Sequence, residues 1–414
     1  MKRKKPARQR RNILLVLFVL AIVACAGLWL WLRPATPGKL MLVPVGFETL
    51  PGWTNSDSHL ALAAFRRSCG VILHQPPTHG MGGVGYAGQA GDWRQVCNEA
   101  VASGPGIGDP RAWFENRFAA FELRAGFAHD ALFTGYYEPE IAASRTRHDN
   151  YVTPVYGLPR GLVTVDLGLF RPELSGVRIA GRIIDNKLVP LPDRAEIDTR
   201  GLNDAPVLLY ARDPVSVFFL HIQGSGRVRF EDNTVLRLAY AGQNGRSYTP
   251  IGRVLIASGE LDRQHMSMQA IRTWLLSHPA QAQRIMENDQ SYVFFRELPL
   301  GDPALGSPGS EGVPLTPQAS IAVDTNIHPL GVPIFIATQA PAADPTKPLQ
   351  DFARLSIAQD TGGAINGNLR ADIFWGYGDE AESVAGRMKS TGRMFVLLPK
   401  TLIARIPAGL LARS

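Results

Sequence analysis

The sequence predicts a mainly β protein with helices: an α-plus-β first part, a mixed middle part and a barrel-like last part. Three observations lead there. From Ala131 onward, short apolar runs alternate with turn residues, as in antiparallel sheet. Helical spacing of apolar residues is confined to stretches before residue 122, between residues 251 and 278, and at Asp379 to Lys389. A Pro- and Gly-rich run, Leu298 to Pro317, interrupts the pattern and reads as a linker or surface loop.

Taken in order, Ser58 to Ser68 reads as a helix carrying Leu60, Leu62, Ala63 and Phe65, and residues 75 to 92 as a long Gly/Pro-rich loop. Asp92 opens the next helix, with Trp93, Val96 and Ala100 on one face. Pro110 to Phe121 forms another, burying Trp113, Phe118 and Phe121. Strands follow at Leu132 to Tyr137, Tyr151 to Tyr156, Val207 to Tyr210, Ser216 to Ile222, Arg227 to Phe230 and Val235 to Ala239. Two helices come next, Ile251 to Glu260 and Ser267 to His278, the second capped by Ser267. Beyond the Pro/Gly-rich run, strands fall at Ser320 to Val323, Val332 to Ile336, Phe352 to Gln359, Ile373 to Trp375 and Arg393 to Leu398.

Charge location narrows the function. The net charge of +7 comes from seven basic residues before residue 12, which leaves 36 basic against 36 acidic residues in the remainder. Without a basic stripe in the body, nucleic acid is excluded as a partner. Residues 1–12 read as a cytoplasmic arm, and Ile13 to Leu32 as twenty uncharged residues able to span a bilayer. A transmembrane anchor facing the periplasm is the favoured reading. A lipoprotein signal ending Ile-Val-Ala-Cys, with Cys25 lipidated, is the alternative, and the apolar run continuing past Cys25 speaks against it. Whether the membrane is the inner or the outer one stays open. Residues 33–57 read as a spacer. Cys69 and Cys97 form a bridge or remain buried thiols; the sequence allows both. No CxxC, no HExxH and no close His/Cys cluster appears, so neither a metal nor another cofactor is expected.

Four segments carry residue types poorly suited to mere packing. In Phe133-Thr134-Gly135-Tyr136-Tyr137-Glu138-Pro139 two adjacent tyrosines point to opposite faces of a strand, so one can be core while the other faces a groove. The run FFLHIQGSG ends in a turn presenting Gln223 and Ser225; its His221 reads as a core histidine. YAGQNGRSYTP is a loop offering Gln243, Ser247 and Tyr248. The fourth is the most specific: Asp360 runs into a Gly-Gly turn, Asp372 follows twelve residues later, and Asp324 ends a further strand. Three aspartates at strand ends can converge on a cleft, where desolvation raises one until it serves as a general acid. The alternative for Asp324 and Asp360 is an ordinary cap or Asx turn.

These residues resemble a known family. FTGYYEP, HIQGSG, YAGQNGRSYTPIG, MSMQAIR, NDQSYVFF, PLTPQASIAVD, QDTGGAINGNLRAD and GRMFVLLP occur in this order in the membrane-bound lytic murein transglycosylase A family. The resemblance spans about Leu132 to Pro399. It implies a double-psi β-barrel domain built from two chain segments, 58–138 and 301–414, with a second β-rich domain, 139–300, inserted between them and a substrate groove between the two. It implies cleavage of the β-1,4 bond between N-acetylmuramic acid and N-acetylglucosamine in peptidoglycan, leaving 1,6-anhydromuramic ends. Asp372 is then the catalytic residue, Asp360 and Asp324 support it, and Tyr136, Gln223, Ser225, Ser247 and Tyr248 bind substrate. Expected partners are glycan strands, the membrane through the N-terminal segment, and proteins of cell-wall synthesis or hydrolysis.

Overall fold

A computed structural model describes residues 38–174 and 177–412. The basic arm, Ile13–Leu32 and Cys25 lie outside the described residues, among which no helix is long and apolar enough to cross a membrane.

The chain enters the fold as strand β1 (Leu40–Val45), within the stretch the sequence assigns to a spacer. Leu40 and Leu42 turn inward as β1 pairs antiparallel with β2 (Phe118–Ala125). Between these strands lie helices α1 (His59–His74), α2 (Ala90–Ala102) and α3 (Pro110–Arg117). Helix α1 runs past the expected stop at Ser68, because Cys69 and Ile72 extend its buried face. Helix α2 begins at Ala90, and Asp92 closes a capping box with Gln89 instead of opening the helix. In α3, Asp109 accepts from the Ala112 amide at 3.1 Å and Pro110 starts the first turn. The helix stops at Arg117, whereas the sequence suggested Phe121. Phe118–Phe121 instead pair with β1 and with β17 (Lys389–Pro399), so sheet pairing overrides the local pattern. A Cys69–Cys97 disulfide joins α1 to α2, with the Cα atoms 5.0 Å apart.

Strand β3 (Ala131–Glu138) is the first strand of the barrel, after which the chain leaves for a second sheet. That sheet contains β4 (Glu140–Ser144), β5 (Thr153–Tyr156), β9 (Val207–Ala211), β10 (Gly226–Phe230), β11 (Val235–Gln243) and β12 (Val293–Pro299), ordered β12-β11-β10-β4-β9-β5. A separate three-stranded sheet holds β6 (Leu162–Asp166), β7 (Arg178–Ile184) and β8 (Lys187–Val189). The same stretch of chain carries helices α4 (Arg194–Arg200), α5 (Pro214–Gln223), α6 (Ile251–Ala257), α7 (Met268–Ser277) and α8 (Pro279–Met286). Helix α5 replaces the strand expected at Ser216–Ile222. Asp213 caps it through the Val215 and Ser216 amides, both at 3.0 Å, and Gly224 ends it at φ 77°. Val215, Val217, Phe218, Phe219, Leu220 and His221 are all buried, so no polar face marks the helical period.

The chain returns to the barrel through β13 (Ser320–Val323), β14 (Pro333–Ala340), β15 (Gln350–Asp360), β16 (Arg370–Tyr377), helix α9 (Gly378–Arg387) and β17. The ring β17-β14-β15-β13-β16-β3 closes where β3 pairs with β17. Its apolar filling is continuous with α1–α3 through Phe65, Trp93, Phe118, Phe133 and Phe335. The second sheet has its own core around Val155, Leu220 and Phe295.

The segment after β12 is no free linker. Val313, Leu315 and Ala319 are buried, and the Phe374 ring leaves no room for a side chain at Gly306. Buried Glu138, at the end of β3, ties the two sheets and this segment together. It meets Arg227 of β10 at 2.9 Å and Arg237 of β11 at 3.4 Å, and accepts from the Ser307 hydroxyl at 2.6 Å.

Candidate active site

Register places the aspartates. Ala322 of β13 stands opposite Asp372 of antiparallel β16 on one side and Asp360 of parallel β15 on the other. Two strand spacings put the two aspartate Cα atoms about 10 Å apart at one level of the barrel. A register shift between Ile321 and Ala322 brings Asp360 to that level. On the other side of β16, Asp372 stands opposite Thr134 of parallel β3.

Side-chain bonds then separate the roles of the three carboxylates. Thr134 donates its hydroxyl to Oδ1 of Asp372 at 2.6 Å, and Arg370 donates to the Thr134 oxygen at 2.6 Å. Among the described residues no hydrogen bond reaches Oδ2 of Asp372. Both oxygens of Asp360 are taken: Oδ1 by the Ser310 amide at 2.9 Å and hydroxyl at 2.8 Å, Oδ2 by the Tyr136 hydroxyl at 3.0 Å. Asp324 is buried and accepts backbone amides, Asn326 at 3.1 Å and Gly367 at 2.8 Å. It thus caps the loop that leads to Asp372.

Burial pushes the Asp372 carboxyl up to about 6; the Thr134 hydrogen bond and the Arg370 charge oppose the rise, and the Asp360 charge adds to it. Burial also raises Asp360, against the donors from Ser310 and Tyr136. The Tyr136 hydroxyl is driven up by burial and by Asp360, so it stays a donor. The arrangement therefore holds one half-buried carboxyl with a free oxygen and a proton affinity near neutrality. That is the property of a general acid that must later act as a base.

The other expected site residues divide. Gln223, at the end of α5, accepts the Tyr137 amide at 3.2 Å and so touches β3 beside Tyr136. Ser225 is half-buried in the following turn; Ser247 and Tyr248 are exposed on the loop before α6. No hydrogen bond links these three to the aspartates among the described residues. His221 is buried against Tyr292 and Phe295, with ring centroids 4.3 and 5.6 Å away, as a core histidine. No group of three His, Cys, Asp or Glu side chains among the described residues is placed to hold a metal ion. Sequence reasoning missed Thr134, Arg370 and Ser310. Thr134 and Arg370 lie two residues before Tyr136 and Asp372, on the same faces of their strands, a signal that was available. Ser310 reaches Asp360 only through the packing of the returning segment, which leaves no local trace.

Comparison with known proteins agrees with this layout. Residues 132–296 match the model of the MltA specific insert domain and residues 319–398 that of the 3D domain. Membrane-bound lytic murein transglycosylase A of Escherichia coli is 36% identical over 349 residues, which is 79% of this chain and 85% of that protein. The crystal structure of a membrane-bound lytic murein transglycosylase from Agrobacterium tumefaciens superposes with a TM-score of 0.75 at 31% identity, covering 89% of this chain and all of that one. E. coli MltA with bound chitohexaose gives a TM-score of 0.63 at 28% identity, over 88% of this chain and 95% of that one. The double-psi barrel with a second β-rich domain, implied by the sequence motifs, is therefore the fold of this protein. The chain belongs to the membrane-bound lytic murein transglycosylase A family.

Proposed function

We propose that this protein cleaves peptidoglycan glycan strands as a lytic transglycosylase, with Asp372 as its single acid and base. The observation that carries this reading is the Asp372 carboxyl itself: half-buried, raised to about 6, anchored through Oδ1 and, among the described residues, without a hydrogen bond at Oδ2. Protonated Asp372 gives its proton to the glycosidic oxygen as the bond from that oxygen to the muramic anomeric carbon breaks. The positive charge developing on that carbon is met by the substrate's own N-acetyl oxygen or by nearby dipoles. Asp372, now ionised, takes the proton of the muramic C6 hydroxyl, and O6 closes the 1,6-anhydro ring. The proton is restored and no water is consumed. A two-carboxylate hydrolase would need a second free base. Asp360 has both oxygens engaged by Ser310 and Tyr136, which favours the one-carboxylate lyase.

Tyr136, Gln223, Ser225, Ser247 and Tyr248 are assigned to the glycan groove, with 139–300 as the inserted substrate-binding domain. Chitohexaose bound to the E. coli relative supports a groove for a β-1,4-linked N-acetylated sugar chain. The relatives' membrane-bound name supports anchoring through Ile13–Leu32, or through lipid on Cys25, with the body in the periplasm. Mass spectrometry of sacculi digested by the full chain tests the reaction. Anhydromuramic ends are expected. Reducing ends would make it a hydrolase, and binding without any release would make it a glycan-binding scaffold.

A further inference from the structure

The loop between α1 and α2 lies outside both matched family segments, yet it is wired to the loop between the two barrel aspartates. Tyr86 of this loop is fully buried, and its hydroxyl lies 2.9 Å from Nδ1 of His328. His328, equally buried, has Nε2 2.8 Å from the carbonyl oxygen of Asn368. A carbonyl only accepts, so Nε2 carries the hydrogen and Nδ1 accepts a hydrogen bond from the Tyr86 hydroxyl. Burial lowers His328 to about 4, so the ring stays neutral and the bond directions are fixed.

Asn368 belongs to the 361–369 loop, which runs directly into Arg370 and Asp372. Two further bonds act in parallel: the His328 amide donates to the Asp324 carbonyl at 2.8 Å, and Asp324 accepts the Gly367 amide at 2.8 Å. From the other side, the Val84 amide donates to the Ile327 carbonyl at 3.2 Å. Gly83, at φ 59°, sits so close to that carbonyl that a side chain would collide with it. The Cys69–Cys97 disulfide closes the stretch of chain that contains Tyr86.

We propose that the Tyr86–His328 pair is a positioning element for Asp372, making the disulfide-bracketed N-terminal loop a working part of the catalytic apparatus. By fixing the 361–369 loop it keeps water from the carboxyl. The charged and titratable groups around that carboxyl are Arg370 on its own strand, Asp360 on β15 and Tyr136 on β3. Around His328 they are Tyr86 and Asp324. A loosened loop admits solvent, and Asp372 falls back toward the ordinary carboxylate range.

The inference rests on Asp372 being the acid, which Asp372→Asn tests separately. The experiment is the pH profile of kcat and KM on sacculi for full-length Tyr86→Phe, His328→Gln and His328→Leu, with Tm recorded. Tyr86→Phe should lower kcat about ten- to a hundredfold and leave KM within about twofold. The alkaline limb of its profile should move to lower pH. His328→Gln still offers a donor to the Asn368 carbonyl and should lose less than His328→Leu. A Tyr86→Phe enzyme with full kcat and an unmoved profile would overturn the proposal. So would activity lost only in proportion to folded protein, with the limb in place. Should the Leu variant not fold, Tyr86→Phe decides.

Discussion

At the scale of single residues, reactivity is set by which carboxyl is shielded and which is already bonded. Asp372 and Asp360 are both raised by burial, yet only Asp372 keeps an oxygen without a donor among the described residues. If protonated Asp372 is the working form, its neighbours should move the alkaline limb of kcat in opposite senses. Arg370 favours the ionised form, so Arg370→Gln should shift that limb to higher pH by roughly half a unit to one unit. Asp360 disfavours it, so Asp360→Asn should shift the limb to lower pH. A pH–rate profile of each variant checks both signs. The motif residues Asp324, Asp360, Asp372 and Tyr136 were legible in the sequence because strand-end aspartates and paired tyrosines are costly without a use. Which aspartate is free was not legible, because that depends on Ser310, ten residues before β13 begins at Ser320.

At the scale of elements, the returning segment between β12 and β13 decides whether the site is assembled. Its Ser310 holds Asp360, and the next residue, Glu311, accepts from Ser68 of α1 at 2.6 Å. Burial raises Glu311 from 4.5 to about 7. The folded state therefore keeps a proton that the unfolded chain releases, and stability falls as pH rises through that window. Glu311→Gln removes this slope. Its Tm should equal or trail that of the unaltered chain near pH 4 and exceed it above about pH 7, as thermal melts across pH will show. The sequence presents this segment as a linker because Pro and Gly dominate it, and only its contacts reveal otherwise. Helix α5 was hidden for the opposite reason: an all-apolar stretch has neither the helical nor the strand period, although Asp213-Pro214 and Gly224 marked its ends. Strand β1 fell within a spacer for want of length, since six residues beside prolines give little pattern. Most barrel strands were legible, because short apolar runs bounded by turn residues mark them even where both faces are buried.

At the scale of the whole molecule, two sheets are fastened through one buried carboxylate. Glu138 is shared as an ion-pair partner by Arg227 and Arg237, and Arg227 also lies over the Tyr377 ring, 3.3 Å from its centroid. Glu138→Ala leaves two buried guanidinium groups without their counter-charge. It should cost about 3–5 kcal/mol, read from urea unfolding of the full chain, with the two sheets melting apart instead of together. Under the proposed function this fastening aligns the groove, because the aspartates stand on one sheet while Gln223, Ser225, Ser247 and Tyr248 lie on or beside the other.

The account centres on one carboxyl that gives a proton and later takes one back, and turnover of Asp372→Asn on purified sacculi tests it most directly. The amide preserves shape and removes the proton traffic, so release of anhydro-muropeptides should fall by about 100- to 10,000-fold with Tm unchanged. Release at the unaltered rate from a folded Asp372→Asn protein would contradict it.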